Sequence, residues 1–312
     1  MPTPAVPEDT LATSLVRVTE AAALAAATWI GRGEKNSADA AAVAAMRDAL
    51  ADIAIDGVVV IGEGEKDEAP MLARGERVGT GLGPAFDVAV DPIDGTSLVA
   101  SGLPGALSVI ALAPSGSFFD PGPCFYMKKI AVGPAGVGVI DVRLSATDNL
   151  QRLSDATGRP VSELTVAVVE RPRHHALIDE IRAVGARAHV VPEGDIATAI
   201  ACALPDSGID LAIGIGGTPE GVIAAAALQG LGGEMQGMLH ATSAAMRADA
   251  EARGYDFAVV LTHHHLVRNQ DCLVVTTGIT TGDLLRGVRV TPTGPIAHSL
   301  IVDGMRRLVT FA

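Results

Sequence analysis

Carboxylates set at the ends of apolar runs are the part of this sequence best suited to chemistry. Asp39 lies four residues after Lys35, so the two share one face of any helix that contains them. Glu63 follows the β-branched run Gly57–Ile61, in the glycine-flanked loop 62–65. Asp91 and Asp94 fall in DPIDGT, directly after the apolar run Phe86–Val90, and Glu220 falls in GIGGTPEG, directly after Leu211–Ile215. In α/β proteins ligands collect at the carboxyl ends of strands, where backbone groups and helix N-termini converge. Hard cations such as Mg²⁺ take carboxylate, carbonyl and water oxygens. Acidic side chains delivered by several strand ends therefore predict a divalent-cation site. Taken singly, each is an ordinary surface charge or cap: Asp94 and Thr96 can cap the turn that follows, and Glu220 beside Pro219 reads as a first-turn helix acid. DPIDGT is more specific, because Pro92 stiffens the turn, Gly95 permits close backbone approach and Thr96 sets a hydroxyl beside two carboxylates.

The elements that must position these residues alternate along the chain. Residues 10–31 predict a helix capped by Thr10 or Thr13, with Leu15, Val18, Ala22 and Leu24 as its apolar stripe. Residues 35–50 predict a second helix with Ala40, Val43, Ala44 and Met46 facing inward. Gly57–Ile61 and Phe86–Val90 read as buried strands, and Ala106–Ala113 and Lys129–Val132 as further strands of the same sheet. Leu144–Gly158 reads as a polar connection. Beyond it strands at Val166–Val169, Ala188–Val191 and Leu211–Ile215 alternate with helices at His175–Val184, Ile196–Ala203 and Pro219–Gln229. That βαβ rhythm predicts a second unit, with a division near residue 150. The expected class is α/β, in an α+β layered arrangement of two sub-domains, 1–150 and 151–312, with the site between them.

Composition narrows the functions open to such a chain. With 48% hydrophobic and 19% charged residues it is globular, and its formal charge of −13 without any Lys/Arg run argues against nucleic acid and anionic membranes as partners. An acidic chain is also an awkward host for a bisphosphate unless metal ions and a few basic groups are concentrated locally. Cys124, Cys202 and Cys272 are far apart and form no CxxC pair, and the N-terminus lacks a basic targeting region, so a cytoplasmic location is expected. His263–His265 are consecutive and do not converge on one ion, so they read as a surface loop, and Cys124 reads as a packed thiol. Neither GxGxxG after a first strand nor GxxxxGK[ST] occurs, which disfavours a nucleotide module.

Six stretches in this order, GRGEKNSAD (31–39), VIGEGEKDEAPML (60–72), DPIDGT (91–96), RPRH (171–174), GIGGTPEG (214–221) and TGITTGDLLRGV (277–288), together resemble the class II fructose-1,6-bisphosphatases. DPIDGT alone is shared with the wider lithium-sensitive phosphatases, which include the inositol monophosphatases. The resemblance implies a sugar-phosphatase fold of alternating helix and sheet layers, a need for Mg²⁺ or Mn²⁺, and a homo-oligomer, dimer or tetramer. It implies that 1–150 is the metal-binding, catalytic part and that 151–312 adds Glu220 and the sugar-phosphate contacts. Asp39, Glu63, Asp91, Asp94 and Glu220 match metal ligands or their neighbours, Thr96 the residue that orients the attacking water, and Lys35 a lysine near the site. Asp94, Gly95 and Thr96 match substrate-contacting positions, as do Tyr126, Arg171, Arg173 and Gly217, while Glu193 and Asp195 match an acidic pair that grips sugar hydroxyls.

The reaction so implied is hydrolysis of the 1-phosphate of fructose 1,6-bisphosphate to fructose 6-phosphate and phosphate, a gluconeogenic step. Metal ions held by the carboxylates would neutralise the dianionic monoester and stabilise the leaving alkoxide. Asp39 or Glu63 is the natural proton acceptor, since a threonine hydroxyl is no base unaided. Two alternatives stand beside it: a sedoheptulose-1,7-bisphosphatase or dual sugar bisphosphatase, and a sugar-phosphate-binding regulator without catalysis. The sequence departs from the family in two places, Glu193 in a pair that is usually Asp-Gly-Asp and Glu34 where Asp is common. Many relatives also continue beyond the TFA at 310–312.

Overall fold

Reciprocal threonine capping starts the first helix. Thr13 N–H donates to Thr10 Oγ1 (3.3 Å) and Thr10 N–H to Thr13 Oγ1 (3.0 Å), opening α1 (Leu11–Ala27). The computed structural model describes residues 10–62, 72–304 and 307–311. On α1 the expected stripe of Leu15, Val18 and Ala22 is buried, joined by Ala23 and Ala26, with Leu24 at its margin. On α2 (Lys35–Ala51) the inward face is Ala38, Ala42, Val43, Met46 and Leu50, whereas Ala40 and Ala44 are exposed. Val43 and Met46 fix that face, and the alanines sharing it lie at the 3.6-residue spacing, not at even steps.

Three strands and a short helix follow: β1 (Asp56–Ile61), β2 (Arg77–Val78), β3 (Ala85–Asp94) and α3 (Thr96–Ser101), then β4 (Leu107–Pro114). β1 runs parallel to β3, and β4 antiparallel to β3. The chain then builds a second sheet from β5 (Tyr126–Val132), α4 (Ala146–Thr157), β6 (Thr165–Val169), α5 (His175–Ala183), β7 (Arg187–Val191), α6 (Asp195–Ala201), β8 (Leu211–Gly217), α7 (Thr218–Leu231), β9 (Glu234–His240), α8 (Ala244–Ala252), β10 (Leu261–Thr262) and α9 (His263–Leu266). It ends with β11 (Leu273–Gly278), a small pair β12 (Arg289–Thr291) and β13 (Gly294–Ile296), β14 (Ser299–Asp303) and β15 (Arg307–Phe311).

The chain divides into a unit of residues 1–118 with 269–312 and a unit of residues 119–268. The first unit's sheet has the order β15-β14-β11-β4-β3-β1-β2, and the second unit's β10-β9-β5-β8-β6-β7. In the first, Leu15 and Val18 of α1 and Met46 and Leu50 of α2 share a core with Val88, Val90, Ile110, Leu112, Val275 and Ile301 of the strands. In the second, Leu150 and Leu153 of α4 and Ile178 and Ile181 of α5 pack on Ile130, Val132, Val166, Val168, Leu211 and Ile213. The other face of that sheet carries α6 and α7, with Met127 and Lys129 of β5 beside Gly221 of α7. Helices layered on mixed sheets are the α/β class expected.

Four expectations are corrected. The division lies at 118/119 and not near 150, because β11 inserts between β4 and β14 and returns the later residues to the first sheet. The strand at 126–132 belongs to the second sheet, paired with β8 and β9, a choice made by non-local partners. The polar stretch 144–158 holds α4, capped by Ser145 accepting from Asp148 N–H (3.0 Å) and anchored by the narrow stripe Ala146, Leu150 and Leu153. The three consecutive histidines form most of the short helix α9 instead of a loop. Cys124, Cys202 and Cys272 are all free and buried, so Cys124 is packed as expected. Among the described residues, no helix is long and apolar enough to cross a membrane.

Candidate active site

In the first unit the candidate residues gather where β3 gives way to α3. The register between β3 and β4 shifts between Asp91 and Asp94, so the strand bulges as it ends. Asp91 Oδ1 accepts from Ile93 N–H at 3.1 Å, folding its carboxylate over the turn. Asp94 is buried. Gly95 then adopts φ +95°, where an added Cβ would sit 2.8 Å from Leu98 Cδ1, so only glycine passes here without strain. Thr96 opens α3, its Oγ1 3.4 Å from the Ile93 carbonyl. Lys35 and Asp39 stand on the first turns of α2, which packs against α3 and β3. The loop before them is tethered to α3, since Gly31 N–H donates to Val99 O (2.9 Å) and Gly33 N–H to Ala100 O (2.8 Å). β1 is parallel to β3, so it ends at the same edge of the sheet and passes the chain to Gly62. Glu63 itself lies outside the described residues.

In the second unit the candidates lie at the carboxyl ends of the parallel strands β6, β7 and β8 and at the start of antiparallel β5. Tyr126 is paired with Gly217 across β5 and β8. The Arg173 guanidinium lies 5.3 Å from the Tyr126 ring centroid and donates to the Ile215 carbonyl through Nε (3.0 Å) and Nη2 (2.7 Å). Arg171 Nη1 donates to the carbonyls of Glu170 (2.7 Å) and Pro192 (2.6 Å), bracing it on the turn that carries Glu193 and Asp195. Asp195 opens α6 and pairs with Lys129 Nζ at 3.0 Å. Glu220 stands in the first turn of α7.

The glycines of GIGG serve side chains more than backbone. A Cβ on Gly216 would fall 1.9 Å from Asp195 Oδ2, and one on Gly217 would fall 1.6 Å from Glu220 Oε2. Each glycine therefore vacates the space its neighbouring carboxylate fills.

Glu220 Oε2 is sealed from solvent without a hydrogen-bond partner. Burial pushes the Glu220 carboxyl up from its usual 4.5, with the Lys129 ammonium pulling it down and Asp195 adding to the rise. A desolvated carboxylate oxygen without a donor suits a cation. The candidate donors are all oxygens, as hard divalent ions prefer. Among the described residues no three His, Cys, Asp or Glu side chains come together closely enough to hold a metal ion by themselves.

Two residues of this region escaped sequence reasoning. Lys129 is 8% exposed on a face of β5 it shares with Met127 and Ala131, and a lysine at an inward position of such a strand was the available signal. His174, 3% exposed, accepts from Ile215 N–H at Nε2 (2.8 Å), so its Nδ1 carries the proton and donates to Val169 O (2.7 Å). It joins the ends of β6 and β8 and holds the segment bearing Arg171 and Arg173. RPRH carried no local mark of that role.

A family model described as bacterial fructose-1,6-bisphosphatase, glpX-encoded, matches residues 9–312. The fructose-1,6-bisphosphatase 1 class 2 of Escherichia coli strain K12 is 44% identical to this chain, over 96% of the chain and 93% of its own length. The class 2 fructose-1,6-bisphosphatases of Escherichia coli O6:H1 and Shigella flexneri are similar to the same degree, 44% identical over the same 96% and 93%.

Proposed function

The chain belongs to the bacterial, glpX-encoded fructose-1,6-bisphosphatase family, and from that membership we propose that it hydrolyses the 1-phosphate of fructose 1,6-bisphosphate, releasing fructose 6-phosphate and phosphate. The observation that carries this reading is the match over residues 9–312, which takes in every stretch able to do the chemistry. Asp91, Asp94 and Glu220, with Asp39 and Glu63, would hold the divalent cation, Mg²⁺ or Mn²⁺. The bound ion supplies neutralisation of the phosphate oxygens and stabilisation of the leaving alkoxide.

The protein's own residues do the rest. Thr96 orients the attacking water for in-line displacement, and Asp39 or Glu63 accepts its proton. Lys35 adds positive charge to a site otherwise dominated by carboxylates, and Gly95 lets the backbone close on the reacting phosphate. Arg171, Arg173 and Tyr126 hold the second phosphate. Both guanidinium groups are anchored on backbone carbonyls, which fixes the planar forks that suit a phosphate. Glu193 and Asp195 accept from sugar hydroxyls, and Gly217 leaves the space that the Glu220 carboxylate fills.

A phosphate-release assay with fructose 1,6-bisphosphate, with and without Mg²⁺ or Mn²⁺, tests the reading. Turnover in the presence of metal, negligible after chelation, is expected. Metal-independent release, or none on this sugar, overturns it. Glu193, longer than the aspartate usual in the family, is reason to run sedoheptulose 1,7-bisphosphate beside it. Equal background release by the wild type and Thr96→Ala, with sugar phosphate still bound, would leave a binding regulator instead. Inhibition by Li⁺ is expected if DPIDGT marks kinship with the lithium-sensitive phosphatases. The three buried free thiols suit a cytoplasmic setting, and a homo-oligomer is expected from the family; a sedimentation measurement checks the latter.

A further inference from the structure

Lys129 stands where the pattern of β5 calls for an apolar side chain, since Met127 and Ala131, its neighbours on the same face of the strand, are buried. Its Nζ meets two groups on different strand-to-helix turns. One is Asp195 Oδ2 at 3.0 Å, at the start of α6. The other is the Gly217 carbonyl at 3.1 Å, where β8 gives way to the helix that carries Glu220. We propose that Lys129 is a positioning residue for sugar recognition, fixing the Asp195 carboxylate toward a sugar hydroxyl and tying its turn to the turn that leads to Glu220. This rests on reading Asp195 as a sugar contact.

The packing around the pair is built for it. A Cβ on Gly216 would fall 3.0 Å from Lys129 Cε as well as 1.9 Å from Asp195 Oδ2, so the missing side chain is what admits both partners. Gly221 of α7 packs beside the lysine stem: its Cβ would meet Lys129 Cδ at an ordinary contact of 3.8 Å, and it is Met127 Sδ, at 2.6 Å, that needs the glycine there. The side chains are unequally exposed, 10% for Lys129 and 23% for Asp195. The cation is thus inside and the anion at the rim, as a carboxylate offered to a ligand requires. An aspartate on a helix-opening turn has several rotamers, and a buried ammonium that is itself pinned to a carbonyl selects one.

Calorimetric titration of the full chain with Mg²⁺ present, using fructose 6-phosphate and inorganic phosphate as separate probes, tests this. Lys129→Met keeps the stem and removes the ammonium. It should weaken fructose 6-phosphate binding about tenfold, the scale of one charge-assisted hydrogen bond, and leave inorganic phosphate within about twofold. Asp195→Asn should show the same pattern, and the double variant should bind about as well as either single, because the two act as one unit. Equal weakening of both probes, an unchanged response to fructose 6-phosphate, or an additive loss near a hundredfold would each overturn the proposal. Should Lys129→Met not fold, Lys129→Gln, which retains a donor for Gly217, carries the same cycle. A wild type that neither binds fructose 6-phosphate nor hydrolyses the bisphosphate brings down the proposed function with it. A wild type that does both, with an additive cycle, removes only the role of Lys129.

Discussion

The turn after β3 and the turn after β8 place carboxylates by opposite means. At Gly95 the backbone itself is unusual, with φ +95°, and glycine is needed for conformation. At Gly217 the backbone is ordinary, φ −64° and ψ 139°, and glycine is needed because the Glu220 carboxylate occupies the volume of a Cβ. The electrostatics differ in parallel. Asp91 is met by a backbone N–H, whereas Glu220 keeps an oxygen buried without a donor beside the Lys129–Asp195 pair. Glycines in two motif stretches thus answer different demands, and only one of them is a demand of the fold.

That contrast can be broken by substitution. Glu220→Ala and Thr96→Ala should each lower phosphate release by at least about a hundredfold, the scale of a lost transition-state contact. Glu220→Ala should do so without loss of stability, since it removes a buried acceptor that has no partner. A lowered denaturation midpoint would show that Glu220 has a structural role. Next in size, Gly217→Ala should displace the Glu220 carboxylate and cut turnover by up to about a hundredfold, as a misplacement near 1 Å can. Its denaturation midpoint should stay close to wild type, because alanine adopts the Gly217 backbone freely. Gly95→Ala should show the reverse emphasis, losing about 1–2 kcal/mol or more of stability to the left-handed conformation and the contact with Leu98. Equal stability losses at the two glycines would erase the distinction.

The smallest effect expected is one of pH. Burial holds the His174 imidazole below its usual 6.5, so the folded state favours the neutral ring that accepts from Ile215 N–H. The stability this contributes is complete above about pH 6.5 and drains away as pH falls through the depressed value. Denaturant midpoints measured from pH 7.5 to 5 should fall more steeply in the wild type than in His174→Gln. Identical slopes would assign the acid sensitivity elsewhere.

Sequence reasoning succeeded where the signal is local. The strands at Gly57–Ile61 and Leu211–Ile215 agree with the structure to within two residues of their ends, because short apolar runs that stop at a glycine have few other readings. The turns carrying Asp91–Thr96 and Glu220 were legible for the same reason. What stayed hidden depends on distant partners. Nothing near residue 126 says that β5 joins β8 and β9, and nothing near residue 273 says that β11 will enter between β4 and β14. The helix α4 was masked by its polar composition, since three small contacts at Ala146, Leu150 and Leu153 suffice to seat it. Lys129 was overlooked because a lysine is ordinarily read as surface, and its partners are 66 and 88 residues away in the chain.

The return of β11 to the first sheet has a consequence for the order of events during synthesis. Residues 119–268 are contiguous, so their sheet can close while later codons are still being read. The first unit has no such freedom. Until β11 leaves the ribosome, β4, whose residues Leu107–Ala113 are all buried in the finished fold, is an open apolar edge. A nascent chain stalled once residues 119–268 have cleared the ribosome but β11 has not should therefore display a protease-resistant second unit and a digestible first one.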